Sequence, residues 1–301
     1  MYEAFRRMQG DSGNLLAKMT EDIDPGTPES LQVPKILRTD HKAQDLDGSR
    51  FWAVLIGVDG DSHYPLHGCV SDAELTENYL VDDLGVPSDR IQRLLGPTGG
   101  ETTNGSTSPT RVNILKTLYG LIDNADILPQ DNIIVYFTGN GARYDAEGYH
   151  RNRVPPEVSL ASIRPLNALC PLDRATRDDN GSRSSLIADT RVRESEVFLQ
   201  SEHATHFAMY PRSYVMRLNL CSKPDTNSHV VLAACQKNEY AQEEDDDEKA
   251  THGIFTKSLV DSLRSGQGST FVDLIAGLPK WPDQTPFIAG DHKGDPIWYQ
   301  E

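Results

Sequence analysis

Residues 131–143 read Asp-Asn-Ile-Ile-Val-Tyr-Phe-Thr-Gly-Asn-Gly-Ala-Arg, and the reading of this stretch decides the fold. Ile133, Ile134, Val135, Tyr136 and Phe137 are β-branched or aromatic and leave no polar face, as in a strand buried between two layers of helices. The run stops at Thr138-Gly139-Asn140-Gly141. Glycines on both sides of one polar residue allow a sharp turn that exposes Asn140 at the carboxyl end of a central strand, where open α/β sheets place their sites. A strand that simply ends in a Gly-Asn turn carries the same residues, so the surrounding sequence has to decide.

Upstream, Pro109-Thr110-Arg111 opens a helix through Asp126, with Ile114, Leu115, Leu118, Leu121 and Ile122 spaced for one buried face. Earlier still, Phe51 to Val58 (FWAVLIGV) is a short apolar run ending in Asp59-Gly60-Asp61, which reads as a buried first strand entering a loop. Leu66 to Ala73 then leads into a helix carrying Ala73, Leu75, Tyr79, Leu80 and Leu84 and closed by Gly85. Asp72 falls in its first turn, a place that the helix dipole favours for a carboxylate. Arg90 to Gly96 supplies a second strand, and residues 96–108 form a low-complexity loop. Apolar strands alternating with helices need crossover connections, so the class is α/β, a mostly parallel sheet with helices on both sides.

Downstream, Tyr144 to Arg193 is polar and irregular, a loop or a hairpin. Asp173, Asp178 and Asp179 lie in it; clustered aspartates suit calcium, and an ordinary Asp-Asn-Gly turn fits equally well. Glu196 to Gln200 reads as a fourth strand ending in Ser201-Glu202-His203, followed by a connecting region and a fifth strand, His229 to Cys235. The acidic run Glu243 to Glu248 is expected to be a solvated loop. Phe255 to Arg264 and Thr270 to Leu278 read as short helices, and Asp295 to Tyr299 as an edge strand. Residues 1–49 are polar and broken by turn residues, a leader without fixed structure, so the domain is expected to span 50–301.

The net charge of −16 argues against nucleic-acid or anionic membrane partners, which a like-charged surface repels. Cys69, Cys170, Cys221 and Cys235 are widely spaced without a C-x-x-C pair, which suggests a reducing compartment and no zinc site. The amino-terminal residues lack the apolar core of a signal peptide, and no window approaches the roughly 18 apolar residues of a membrane span. A soluble, cytoplasmic protein is the expectation.

In this order the chain resembles the caspase-like peptidases, family C14, and specifically the metacaspase-type caspase domains common in fungi. Four stretches carry the likeness: FWAVLIGVD with LHGCVSDAELTENYLVDDLGVPSDRIQRLLG, PTRVNILKTLYGLIDNAD with DNIIVYFTGNGAR, LCPLD, and HVVLAACQKNEYAQE with HGIFTKSLVDSLR. The resemblance implies a three-layer sandwich around a mostly parallel sheet of about six strands. It also implies a cysteine nucleophile served by a histidine base. In the family the strand matching Ile133 to Phe137 ends in glycine-histidine-glycine, whereas this chain has Asn140 between its glycines. An amide exchanges no proton near neutral pH. The best match to the nucleophile segment places Glu202 at the cysteine and Gln200 at an aspartate that helps bind a basic side chain. Loss of both nucleophile and base costs roughly a millionfold in turnover.

A competing register makes Cys235 the nucleophile, with His203 as base; His150 and His252 are further candidate bases. Asp72 matches an aspartate that lines the relatives' pocket for arginine or lysine, and Asp173, Asp178 and Asp179 fall where calcium-dependent relatives keep aspartates. Three functions follow as expectations: a catalytically impaired pseudo-peptidase that binds a basic peptide or an active caspase-like relative, an endopeptidase using Cys235, or altered acid–base chemistry at Glu202. No cofactor is expected beyond calcium.

Overall fold

In the computed structural model the described residues are 46–61, 64–99, 105–144, 166–175, 187–188, 204–211, 230–236, 239–245 and 250–298; of 142–144, 166–168, 187–188 and 204–211 the backbone alone is described. One compact unit spans Asp45–Glu301. Residues 1–45, most of the expected leader, lie outside the described set. Its last residues join the domain: Asp47 accepts from the Ser49 N–H at 2.9 Å, and Leu46 packs against the core.

The centre is a six-stranded sheet in the order β11 (Phe287–Ala289), β8 (Val230–Ala233), β7 (Ala204–Pro211), β3 (Asn132–Gly139), β1 (Phe51–Val58), β2 (Ile91–Gly96). Strand β1 (Phe51–Val58) is buried along its whole length, as its uninterrupted apolar sequence requires. It pairs in parallel with β2 (Ile91–Gly96) on one side and β3 (Asn132–Gly139) on the other. Side chains alternate across the sheet. Phe51, Ala53 and Leu55 of β1 join Ile134 and Tyr136 of β3 in one core, and Trp52, Val54, Ile56 and Val58 join Phe137 in the other.

The first core is covered by α1 (Cys69–Asn78), α3 (Ile254–Arg264) and α4 (Phe271–Gly277), through residues such as Ala73, Phe255, Leu259 and Leu274. The second is covered by α2 (Arg111–Asp123) through Ile114 and Leu121. Two helical layers with a sheet between them make the three-layer α/β architecture. Close approach of α1 to β1 depends on Gly57, where an added Cβ would stand 2.6 Å from the Cys69 carbonyl oxygen.

The other side of β3 carries a feature that periodicity did not reveal. Residues 204–211, read as a connecting region, form β7 (Ala204–Pro211), which runs antiparallel to β3 and to β8 (Val230–Ala233). Four strands therefore share one direction, while β7 and β11 (Phe287–Ala289) run against them. Residues 196–200, the expected fourth strand, lie outside the described residues. A second sheet, β4 (Gly141–Tyr144), β5 (Leu166–Leu169) and β6 (Ile187–Ala188), leaves the carboxyl edge just past Asn140.

Two further expectations are corrected. The start of the acidic run forms a strand, β9 (Glu243–Asp245), paired antiparallel with β10 (Thr251–Gly253), although its side chains are exposed as so many like charges demand. Among the described residues the last strand is β11; within 295–298, Pro296 makes an isolated bridge to Thr270, and Trp298 turns inward against Phe51 and Tyr79. Among the described residues no helix is long and apolar enough to cross a membrane.

The amino end of the sheet is fixed by Asp131. Its buried carboxylate accepts from Trp52 Nε1 at 3.1 Å, from the Leu128 N–H at 2.9 Å and from Arg50 Nε at 3.5 Å. Asp131→Ala would leave a buried indole N–H unpaired, and we expect it to lower stability by about 2–3 kcal/mol, read as a fall in the urea midpoint at unchanged slope.

Candidate functional site

Three strands that share a direction, β1, β3 and β8, end at one edge of the sheet; Asp59 and Asn140 follow β1 and β3 directly, and Cys235 lies two residues past β8. Asp59 anchors α1. Its carboxylate accepts from the Cys69 N–H at 2.7 Å and the Val70 N–H at 3.1 Å, while Glu243 of β9 accepts from the Gly68 N–H at 2.9 Å. These are the unsatisfied amides of a helix start, whose partial positive charge favours carboxylates. Asp59, Cys69 and Glu243 bring potential metal-ligating atoms within 4.8 Å of one another. Both carboxylates already cap backbone N–H groups, so the cluster is explained as the seat of α1 without an ion.

Asn140 is only 2% exposed, in contrast to the exposed position that the Gly-Asn-Gly turn suggests. Its Nδ2 donates to the Tyr64 carbonyl at 2.6 Å, and its own carbonyl accepts from the Cys170 N–H at 3.0 Å. One residue thus joins the loop after β1 to the segment after β5. Beside it, Arg174 holds Asp61: Nε lies 2.8 Å from Asp61 Oδ2, Nη1 donates to Cys170 Sγ at 2.9 Å, and the guanidinium lies 5.7 Å from the centre of the Tyr64 ring. Asp61, Tyr64 and Arg174 had drawn no functional reading from the sequence. They stand far apart in the chain, and no local spacing pairs them.

Asp72 is buried in the first turn of α1. It is 1% exposed, and its carboxylate takes the Gly253 N–H on both oxygens, at 3.0 and 3.1 Å, with His252 Nδ1 at 3.3 Å. A side chain at 253 would put its Cβ 2.7 Å from Asp72 Oδ2, so this contact requires glycine. Burial pushes the Asp72 carboxyl up to about 6, against the lowering effect of His252 and the Gly253 amide. His252, one of the further candidate bases, is therefore paired with a carboxylate on α1.

The thiols differ in detail but all three described cysteines are buried. Burial raises Cys69 well above the usual thiol range, and the neighbouring Asp59 adds to this. Burial also raises Cys170, with Arg174 opposing. A thiol held protonated is a poor nucleophile. Cys235 lies two residues past β8, its Sγ 3.5 Å from the Glu239 carbonyl. Asp173, a candidate calcium ligand, accepts from the Arg111 N–H at 2.8 Å and so caps α2. Gln200, Glu202, His203, His150, Asp178 and Asp179 lie outside the described residues; Ala204, which follows His203 in the chain, registers with Gly139.

The sequence profile described as Caspase domain, Peptidase C14, matches residues 50–277. The chain belongs to the caspase-domain family. Metacaspases are among its relatives: Metacaspase-4 of Arabidopsis thaliana is 29% identical over 150 residues, 46% of this chain and 32% of that protein. Metacaspase-3 of the same plant is 31% identical over 126 residues, 41% of this chain and 30% of that protein. Metacaspase-1 of Cryptococcus neoformans is 27% identical over 138 residues, 40% of this chain and 29% of that protein. The chain spans about three tenths of the length of these curated relatives. This is a caspase domain of the metacaspase type, and plant and fungal relatives match it alike.

The caspase domain's buried carboxyl gives a pH signature. A folded value of about 6 against an ordinary 3.8 means that protonated Asp72 favours folding, a contribution present in full below about pH 4 and lost as pH rises through about 6. The stability of wild type relative to Asp72→Asn should accordingly fall by about 3 kcal/mol across that window, measured by paired denaturant titrations.

Proposed function

We propose that this caspase domain is a pseudo-peptidase that acts by binding a basic peptide or a peptidase partner rather than by cutting one. The observation that supports this most is the commitment of Asn140, at the family's histidine position, to the Tyr64 carbonyl. An amide in that place orients a neighbour but carries no proton between nucleophile and leaving group. The raised thiols of Cys69 and Cys170 support the same reading, because neither supplies a thiolate near neutral pH. The acidic surface, with a net charge of −16, favours a basic partner. A cytoplasmic setting and an active caspase-like relative as partner belong to the same proposal.

An endopeptidase built on Cys235 is the alternative, motivated by its place at the carboxyl edge of the sheet. The two readings part in one assay. Purified protein is incubated with arginyl and lysyl peptide reporters, with and without calcium, beside its Cys235→Ala variant. We expect no release above buffer from either protein under either condition. Turnover that Cys235→Ala abolishes would establish the alternative and end the binding reading.

A further inference from the structure

The β9–β10 hairpin rests on the start of α1 through polar contacts. Glu243 takes the Gly68 N–H at 2.9 Å, the Gly253 N–H reaches both oxygens of Asp72 at 3.0 and 3.1 Å, and His252 Nδ1 lies 3.3 Å from Asp72 Oδ1. Two glycines make the fit close: a Cβ at 68 would stand 3.2 Å from the Thr251 carbonyl oxygen, and one at 253 would stand 2.7 Å from Asp72 Oδ2. The side chains of β9 are exposed, and no residue of β9 or β10 joins either apolar core. An element fixed by polar contacts, with little apolar burial, opens locally before the domain unfolds.

The seat of the hairpin is crowded with acidic groups. Around Asp72 stand Asp59 from the end of β1, Cys69 on α1, Tyr136 on β3, Glu243 on β9 and His252 on β10. Of these, His252 alone can carry a positive charge. Asp72 and Cys69 are 1% and 3% exposed with the hairpin in place. We propose that the β9–β10 hairpin is a proton-gated strap, which seats on α1 with Asp72 neutral and lifts more readily once Asp72 ionises.

Burial sets the direction of the gate. In the seated strap it raises the Asp72 carboxyl to about 6, with His252 and the Gly253 amide opposing; in the lifted strap the carboxyl meets water and returns towards the ordinary 3.8. Below about pH 4 both states hold the proton, and lifting is independent of pH. Between about pH 4 and 6 the seated state alone holds it, so lifting releases a proton and becomes tenfold easier per pH unit. Above about pH 6 neither state holds it, and the gain levels off at about a hundredfold. The acidic ribbon therefore covers the first turn of α1 most firmly in acid. This gate goes beyond the binding reading and holds whether or not the domain cuts peptides.

Amide hydrogen exchange on the full chain, run from about pH 4 to 7 and corrected for intrinsic rates, follows the strap. In wild type the protection of residues 251–254 should fall by about a hundredfold between about pH 4 and 6.5 and then level, while β1 and β3 keep theirs. Asp72→Asn has no carboxyl to ionise and should show no fall. Gly253→Ala keeps Asp72 and covers a failure of the first variant to fold. Its backbone, at φ −65° and ψ 127°, suits alanine, so the added Cβ disturbs the contact with Asp72 and its hairpin should exchange fast at every pH. Protection that stays flat in wild type, that falls equally in Asp72→Asn or Gly253→Ala, or that is lost from β1 and β3 together with the hairpin overturns the proposal.

Discussion

Much of this structure depends on Asp59, the carboxylate at the end of the first strand. By taking the first amides of α1 it ties the central strand to the helix packed on it, and Gly57 lets the two backbones come close enough for the bonds to form. The arrangement satisfies donors that a buried helix start would otherwise leave unpaired. Because α1 is fixed there, Asp72 one turn later is carried to the Gly253 amide, and the β9–β10 hairpin is held down through both Asp72 and Glu243. A short chain of carboxylate-to-amide contacts thus connects the sheet edge to an exposed acidic ribbon.

The same edge in an active cysteine peptidase needs room for a proton carrier to move between partners. In this chain the edge is tightly bonded around Asn140, which closes on Tyr64 and Cys170, with Arg174 lying across Asp61. Burial raises the thiols of Cys69 and Cys170, and Cys170 serves there as a hydrogen-bond acceptor for Arg174.

The parts of the fold legible in the sequence are those where burial and periodicity coincide. FWAVLIGV and NIIVYF could only be strands covered on both faces, and the apolar spacing from Ile114 to Leu121 gave the helix beneath them. Elements determined by tertiary pairing were hidden. Residues 204–211 mix alanine, proline and histidine with Thr205, Phe207 and Tyr210, too weak a β signal to mark a strand on its own, and their reversed direction leaves no trace in composition. The triplet Glu243–Asp245 pairs with β10 despite three acidic side chains because these remain in water. At the site, the positions of Asn140 and Asp72 at a strand end and in a first helical turn were readable, but their burial was not: it arises from Tyr64, Cys170 and Gly253, which are remote in the chain. The contact of Asp173 with the Arg111 amide at the start of α2 was likewise not readable, since the two residues stand far apart in the chain.

The outer edge of β2 is partly occupied by the chain itself. Thr107 bridges to Leu94, donating to the Arg93 carbonyl at 2.9 Å and accepting from the Leu95 N–H at 3.1 Å. Open strand edges recruit other strands, and that recruitment is how many α/β proteins stick together when concentrated. A second molecule adding a strand here would first have to peel Thr107 away, so the segment acts as a guard against unwanted end-to-end growth of the sheet on this flank.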